Sequence, residues 1–505
     1  MRVRLQDQPL FLLLAAFASV SMFLPALHAL SLEDFRIARS FFYTGLLGLF
    51  LSVIIAIARG PRRRGRKEEL NGLLALLAAF VFLPALLAFP FYEALRTTTF
   101  LNAYFEMVSS LTTTGATMFE DPRRLPDTLH LWRAQVGWMG GLLVWIAAAA
   151  VMAPLSLGGF EVTAVAFDWA GDTRLDQFQR ATLMRRVGRM TLHLAPVYAG
   201  LTGALWLFLI IGGDSALVAL CHAMSTMATS GISPVGGIEN SVSGMAGEIV
   251  VFLFLFFALS RMTFSSDTSA ARQAIWRDPE FRMGCALVIA VPALMFLRHW
   301  VAAFEVDSGE DFTMALRALW GGVFTTLSFV STTGWVSADW DTAQAWSGLS
   351  TPGMILMGLA MIGGGVATTA GGVKLLRVFA LYLASRRELE RLVHPHSVGS
   401  TGGRSRRLRR RGAYHAWIFF MLFALSIAAA TCLLAVLGSD FEAAILLSVA
   451  ALSTTGPLVG AAADVPIVLP QLDAAAKGAL CALMILGRLE LLAIIALFNP
   501  DLWRE

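Results

Sequence analysis

Four times along this chain a short apolar segment ends in Thr, then Thr or Ser, then Gly. The copies are Thr113-Thr114-Gly115, Thr229-Ser230-Gly231, Thr332-Thr333-Gly334 and Thr454-Thr455-Gly456, and no fifth occurs. Each lies between one long apolar stretch and the next, so the chain reads as a unit of helix, half-length helix, loop and helix, repeated four times. The segments before the motif, such as 99–111, 214–227 and 439–452, are too short to cross a bilayer. At about 1.5 Å per residue they reach roughly halfway through about 30 Å of hydrocarbon.

The bilayer itself is implied by composition: 57% of the 505 residues are hydrophobic and 15% are charged. Apolar spans are expected near 9–30, 40–59, 72–95, 132–155, 190–212, 244–264, 283–303, 350–386, 413–437 and 472–498. The first lacks a small-residue cleavage site and reads as a retained helix, with a cleaved signal peptide as the alternative. Basic residues gather at Arg2 and Arg4, at Arg62, Arg63, Arg64, Arg66 and Lys67, from Arg174 to Arg189, and from Arg386 to Arg411. In a ten-span arrangement these share one side, which the positive-inside rule makes cytoplasmic together with both termini. The opposite side carries Glu305, Asp307, Glu310 and Asp311, with Arg123 and Arg124 as an exception. Carboxylates there would concentrate cations.

Half-length helices must re-enter from the outer face, with Asp214 and Ser439 suited to cap them, and the motif then returns as irregular backbone. Such backbone is tolerated at membrane depth only where protein buries it or it lines a polar path. Four loops around an axis meet that demand. Their carbonyls replace the water shell of a monovalent cation, glycine permits the required angles, and the half-helix C-termini aim partial negative charge at the axis. Small Ser, Thr and Gly residues also serve close helix packing, which is the competing reading of any single copy.

The run 363–372 holds five glycines and two threonines and interrupts the span at 350–386, so a break or kink is expected there. It lacks both GxGxxG spacing and a Gly-Lys-Ser/Thr ending, so no nucleotide is expected on this chain. Arg488 lies in an apolar span, where a charge costs about 2.5–3.5 kcal/mol, and must face a cavity or a partner; Glu490 is its nearest opposite charge in sequence. Cys221, Cys285, Cys432 and Cys481 lack metal-ligand spacing and read as buried thiols. The net charge of +4 follows from topology rather than nucleic-acid binding. His130, His193 and His222 form no catalytic constellation, so an enzyme is not expected, and a membrane-embedded hydrolase is the distant alternative.

The stretches SLTTTGATMF (110–119), MATSGISP (227–234), FVSTTGWV (329–336) and LSTTGPL (452–458) resemble the four filter sequences of the Trk, Ktr and HKT potassium-transporter superfamily. Two extra N-terminal spans, MIGGGVATTAGGVKLLR (361–377) and GRLELLAIIALFNPDLWR (487–504) resemble its TrkH branch. The resemblance implies an all-α polytopic membrane protein, with four helix/pore-helix/helix repeats around a central pore and two additional N-terminal helices. Its expected divisions are 1–68, 69–160, 161–270, 271–395 and 396–505. The twelve motif residues would form a K+ filter, and glycine in all four copies would favour potassium, with Rb+ also conducted. Gly363, Gly364, Gly365, Thr368, Thr369, Gly371, Gly372 and Lys374 would form an intramembrane gate, with Arg488 projecting into the pore against it. The resemblance further implies a homodimer in a bacterial inner membrane. A separate cytoplasmic Rossmann-type, nucleotide-binding regulator is also implied, with 386–411 as a docking surface. Symport of K+ with H+ or Na+ stays open; Glu106 and Glu442 are the carboxylates near the pore that such coupling would use.

Overall fold

The computed structural model describes residues 8–59, 68–155, 157, 159, 182–260, 275–276, 278–302, 312–349, 351–394 and 412–490. Eight helices among them are long and apolar enough to cross a membrane, and seven coincide with expected spans. The eighth, Phe312–Val330, is the segment before the third motif, which is longer than the half-length helix expected there. The span at 244–264 is a helix, Gly244–Leu255, tightened into a 3-10 turn at Phe256–Leu259. The span at 350–386 is broken into Gly353–Ile362 and Leu375–Val393, as its glycines require. The last is seen as Ala474–Leu489; residues 491–505, the basic runs at 60–67 and 395–411 and the acidic run at 303–311 lie outside the described residues.

The N-terminal unit comprises α1 (Leu10–Ser21), α2 (Phe23–Ser31) and α3 (Phe35–Arg59). The first repeat is α4 (Glu68–Leu95), α5 (Phe100–Leu111) and α6 (Asp127–Ala147); the second is α7 (Leu183–Ile211), α8 (Ala216–Ala228) and α9 (Gly244–Leu255). The third holds α10 (Pro279–Ala302), α11 (Phe312–Val330), the short α12 (Trp340–Ser347), α13 (Gly353–Ile362) and α14 (Leu375–Val393). The fourth holds α15 (Ala413–Val436), α16 (Phe441–Leu452), α17 (Leu458–Ala462) and α18 (Ala474–Leu489).

The repeats close into a ring, because the helix after each motif packs on the pre-motif helix of the next repeat. Thus α6 meets α8, α9 meets α11, α13 meets α16, and α18 returns to α5. No motif-bearing helix is left at a free end. The N-terminal unit is attached to the first repeat by Phe41 packed edge-on against Trp132 at 5.3 Å and by Gln135 Nε2 donating to Ser21 C=O at 2.8 Å. The rest of α3 turns Phe42, Leu46, Leu47 and Phe50 outward, a face that only an apolar solvent suits.

Pro84 and Pro90 lie inside α4 and remove two amides from its ladder. Tyr104 Oη donates to Val81 C=O at 2.9 Å and Trp132 Nε1 to Leu87 C=O at 3.2 Å, each one turn before a proline. Side chains of the neighbouring helices therefore satisfy carbonyls near each disturbed turn, as a bilayer demands.

Glycine sets how closely the ring packs in two places. A Cβ on Gly140 of α6 would lie 2.0 Å from Leu111 C=O, and one on Gly487 of α18 would lie 2.3 Å from Leu452 C=O. Both carbonyls belong to the last residue of a pre-motif helix. Gly140→Ala and Gly487→Ala should each destabilise by about 1–3 kcal/mol, the usual effect of overpacking. Gly200→Ala, with open space around it, is the control. Thermal unfolding in detergent should place both ring variants below the control.

Candidate functional site

All four motifs begin with the same hydrogen-bonded turn. The first threonine donates its N–H three residues back: Thr113 to Ser110, Thr229 to Thr226, Thr332 to Phe329 and Thr454 to Ala451, at 2.9–3.2 Å. The next residue reaches five back: Thr114 to Ser109, Ser230 to Ser225, Thr333 to Ser328 and Thr455 to Ala450, at 2.8–3.0 Å. This is a helix C-cap that normally has glycine at its left-handed position. Here threonine holds it, with φ of 56° at Thr113, 50° at Thr229, 60° at Thr332 and 55° at Thr454. A β-branched residue in that region costs about 1–3 kcal/mol, and four such costs at equivalent positions mark a functional constraint.

The glycines fix the spacing between loops. A Cβ on Gly115 would lie 1.8 Å from Ser230 C=O, and one on Gly231 would lie 2.3 Å from Thr333 C=O. Gly334 faces Thr455 and Gly456 faces Ala116, so the cyclic order of the helices is repeated at the motifs. Gly115, Gly231, Gly334 and Gly456 all line one cavity of about 390 Å3, which Glu120, Arg133, Glu239 and Trp335 also line. Of the twelve motif residues, the Thr and Ser positions are buried.

On the far side of the motifs lies the loop between α13 and α14. Gly363 and Gly372, with φ of 71° and 75°, touch at its neck: a Cβ on Gly363 would lie 2.8 Å from the Gly372 Cα. Val373 N–H donates to Met361 C=O and Lys374 N–H to Ile362 C=O, both at 2.9 Å, which closes the neck. Gly365 N–H donates to Ala258 C=O at 3.0 Å and Val366 N–H to Glu280 at 3.3 Å; Thr368 Oγ1 bonds back to Gly365 C=O. The tip meets the motifs directly. Thr229 Oγ1 donates to Thr369 Oγ1 at 3.1 Å, Gly371 N–H donates to Thr332 Oγ1 at 2.8 Å, and a Cβ on Gly371 would strike Ser453 C=O, as one on Gly364 would strike Ala258 C=O. Lys374 is buried and turns its ammonium to Ala370 C=O.

Arg488 donates from Nη1 to Thr369 C=O at 2.6 Å, while its Nε and Nη2 find no partner among the described residues. Glu490 does not pair with it. Arg377 takes that carboxylate at 2.6 Å and lies over the Phe419 ring at 3.7 Å from its centroid. Arg377, unremarked in the sequence reading, thus competes successfully for Arg488's nearest opposite charge; a basic residue on another segment gave no local signal.

Other expectations are corrected. Ser215 caps α8 by accepting from Val218 N–H, because that helix begins later than expected, and Asp214 instead accepts from Ser241 and Ser243. Asp440, not Ser439, occupies the N-cap position of α16. Cys221 and Cys481 are buried, but Cys285 is half-buried and Cys432 is exposed on the outer face of α15. Glu442 is exposed, whereas Glu106 is buried and paired with Arg133 at 2.6 Å.

Among the described residues, an all-helical ring with four like motifs around one cavity, and a broken span set against them, defines a polytopic membrane protein. A family model described as "Cation transport protein" (TrkH) matches residues 317–504. The Trk system potassium uptake protein TrkH of Salmonella typhimurium is 30% identical over 498 residues, 98% of each chain. Its counterpart from Escherichia coli K12 is 28% identical over the same share. The crystal structure of the potassium transporter TrkH from Vibrio parahaemolyticus matches with a TM-score of 0.80 and 26% identity over 99% of each chain. The chain belongs to the TrkH family. Membership of a cation-transport family is what sets it apart from enzymes.

A titratable group on the cavity border has a displaced pKa. Glu239, on the loop between α8 and α9, is raised from 4.5 to about 7, first by burial and then by the Glu248 carboxylate. It is therefore neutral in acid and becomes negative as pH rises through about 7. Carboxylate 13C NMR, with Glu239→Gln to assign the resonance, should give a midpoint near 7; a midpoint at the ordinary value of 4.5 contradicts this environment.

Proposed function

We propose that this chain is the potassium-conducting subunit of a bacterial Trk-type uptake system. K+, and with it Rb+, passes through a filter formed by the four motifs. The observation that carries this reading is the convergence of Gly115, Gly231, Gly334 and Gly456 on one cavity, with each motif capped alike and set against the next. Carbonyls held in that register replace hydration water around a monovalent cation without needing a carboxylate ligand. Relatives named as potassium uptake proteins support the choice of ion.

In this reading the 363–374 loop is the gate. Its tip is hydrogen-bonded to Thr229 and Thr332, and Arg488 both holds the tip and places a positive charge beneath the filter. Coupled symport is the second reading. The buried Glu106 is already engaged by Arg133 and by the backbone, which favours a passive gated pathway over one that loads a proton there. We further propose the five-part division at 1–68, 69–160, 161–270, 271–395 and 396–505, an inner-membrane location with both termini cytoplasmic, and a homodimer. A nucleotide-binding regulator would dock near the basic 386–411 stretch. These proposals rest on family membership and charge pattern.

The test is ion flux into liposomes containing the purified chain, comparing K+, Rb+, Na+ and Li+ with and without a pH gradient. Downhill K+ and Rb+ flux indifferent to pH supports the pore, flux driven by the proton gradient supports symport, and equal flux of all four ions contradicts the filter. Arg488→Ala should raise leak flux roughly tenfold, from loss of one charged hydrogen bond on the gate. Unchanged leak would remove Arg488 from gating.

A further inference from the structure

The four motifs are capped alike below but are held unequally above, and the difference traces to one position. Nine residues before each motif glycine stand Glu106, His222, Thr325 and Leu447. Each is on the pre-motif helix, facing the limb by which its own loop leaves the filter. In the first repeat Glu106 accepts from Met118 N–H at 2.9 Å and from Thr117 Oγ1 at 3.4 Å, while Arg133 neutralises it from α6. In the second, His222 Nε2 meets Ser233 Oγ at 2.8 Å. That hydroxyl donates to Gly237 C=O and accepts from Val235 N–H, so the imidazole is the donor, and Trp335 packs edge-on against it at 5.4 Å. In the third, Thr325 Oγ1 accepts from Ser337 N–H at 3.2 Å. Glu248 of α9 adds a second clamp, accepting from Ser337 Oγ and Ala338 N–H, both at 2.7 Å.

The fourth position is Leu447, which offers no hydrogen bond and borders a small apolar space with Ala116, Val459 and Leu469. Its loop is the one that departs from the others. Gly115, Gly231 and Gly334 have φ of 78°, 65° and 83°, whereas Gly456 leaves the left-handed region. The Gly456 amide instead crosses to the first repeat and donates to Thr114 C=O at 2.6 Å.

We infer that Glu106, His222 and Thr325 are positioning residues that hold three filter limbs at fixed width, while the fourth limb, backed by Leu447, is held by its own backbone turn, with Leu458 N–H donating to Thr455 C=O at 3.2 Å and Val459 N–H to Gly456 C=O at 3.0 Å. Three polar braces keep carbonyls at the spacing of a larger ion and resist collapse onto a smaller one. Discrimination among alkali cations then depends on side chains that never touch the ion. This rests on the filter reading above.

The test is the ratio of K+ to Na+ flux in liposomes of the full chain. Thr325→Val is nearly isosteric and removes only the acceptor, leaving Ser337 N–H without that partner; it should lower the ratio roughly five- to tenfold. Thr325→Ser keeps the hydroxyl and should restore the ratio. A purely structural role would instead reduce yield and total flux together and leave the ratio alone. If Thr325→Val does not fold, Ser233→Ala removes the second brace from the loop side and should lower the ratio likewise. A wild-type preference for K+ that survives both Thr325→Val and Ser233→Ala overturns the braces and leaves the filter standing. A wild type without preference overturns the filter reading, and the braces with it.

Discussion

Everything in this molecule depends on what happens to a backbone that stops being helical inside a membrane. Each carbonyl and amide that leaves the ladder there needs a partner, at several kcal/mol if it finds none. The chain meets that demand four times in the same way, through a capped helix end whose first two motif amides turn back into the helix. The left-handed threonines are a cost accepted so that this exchange occurs at one level in all four repeats.

A single such loop would not be stable alone, and the cyclic packing explains why four are. Each post-motif helix covers the pre-motif helix of its neighbour, and the last returns to the first, so every loop is walled by protein on both sides. Glycine sets the contact distance at the motifs and, through Gly140 and Gly487, at two of the supporting helices. The broken third span then puts a glycine-necked loop against the ends of these motifs. Hydrogen bonds from Thr229 and to Thr332 make it part of the same network.

The features legible in the sequence were those written locally. The four motifs, the short apolar segments before three of them, the glycine-driven break at 363–372 and the isolation of Arg488 all follow from composition and length. What escaped was set by partners distant in sequence. Arg377 claims Glu490 across more than a hundred residues, and Asp214 bonds to Ser241 and Ser243 instead of capping a helix. The equivalence of Glu106, His222, Thr325 and Leu447 was present as a constant offset from the glycine. Four different residue types hid it, because only their contacts reveal a shared task.

The most direct test of the central claim is where a heavy alkali cation binds. Crystals of the chain grown in Rb+ and measured at the Rb absorption edge should show anomalous density on the axis between Thr114, Ser230, Thr333 and Thr455. Replacing Rb+ with Na+ should remove that density. Anomalous density confined to surface carboxylates, with the ring of four motifs empty in Rb+, would contradict the account.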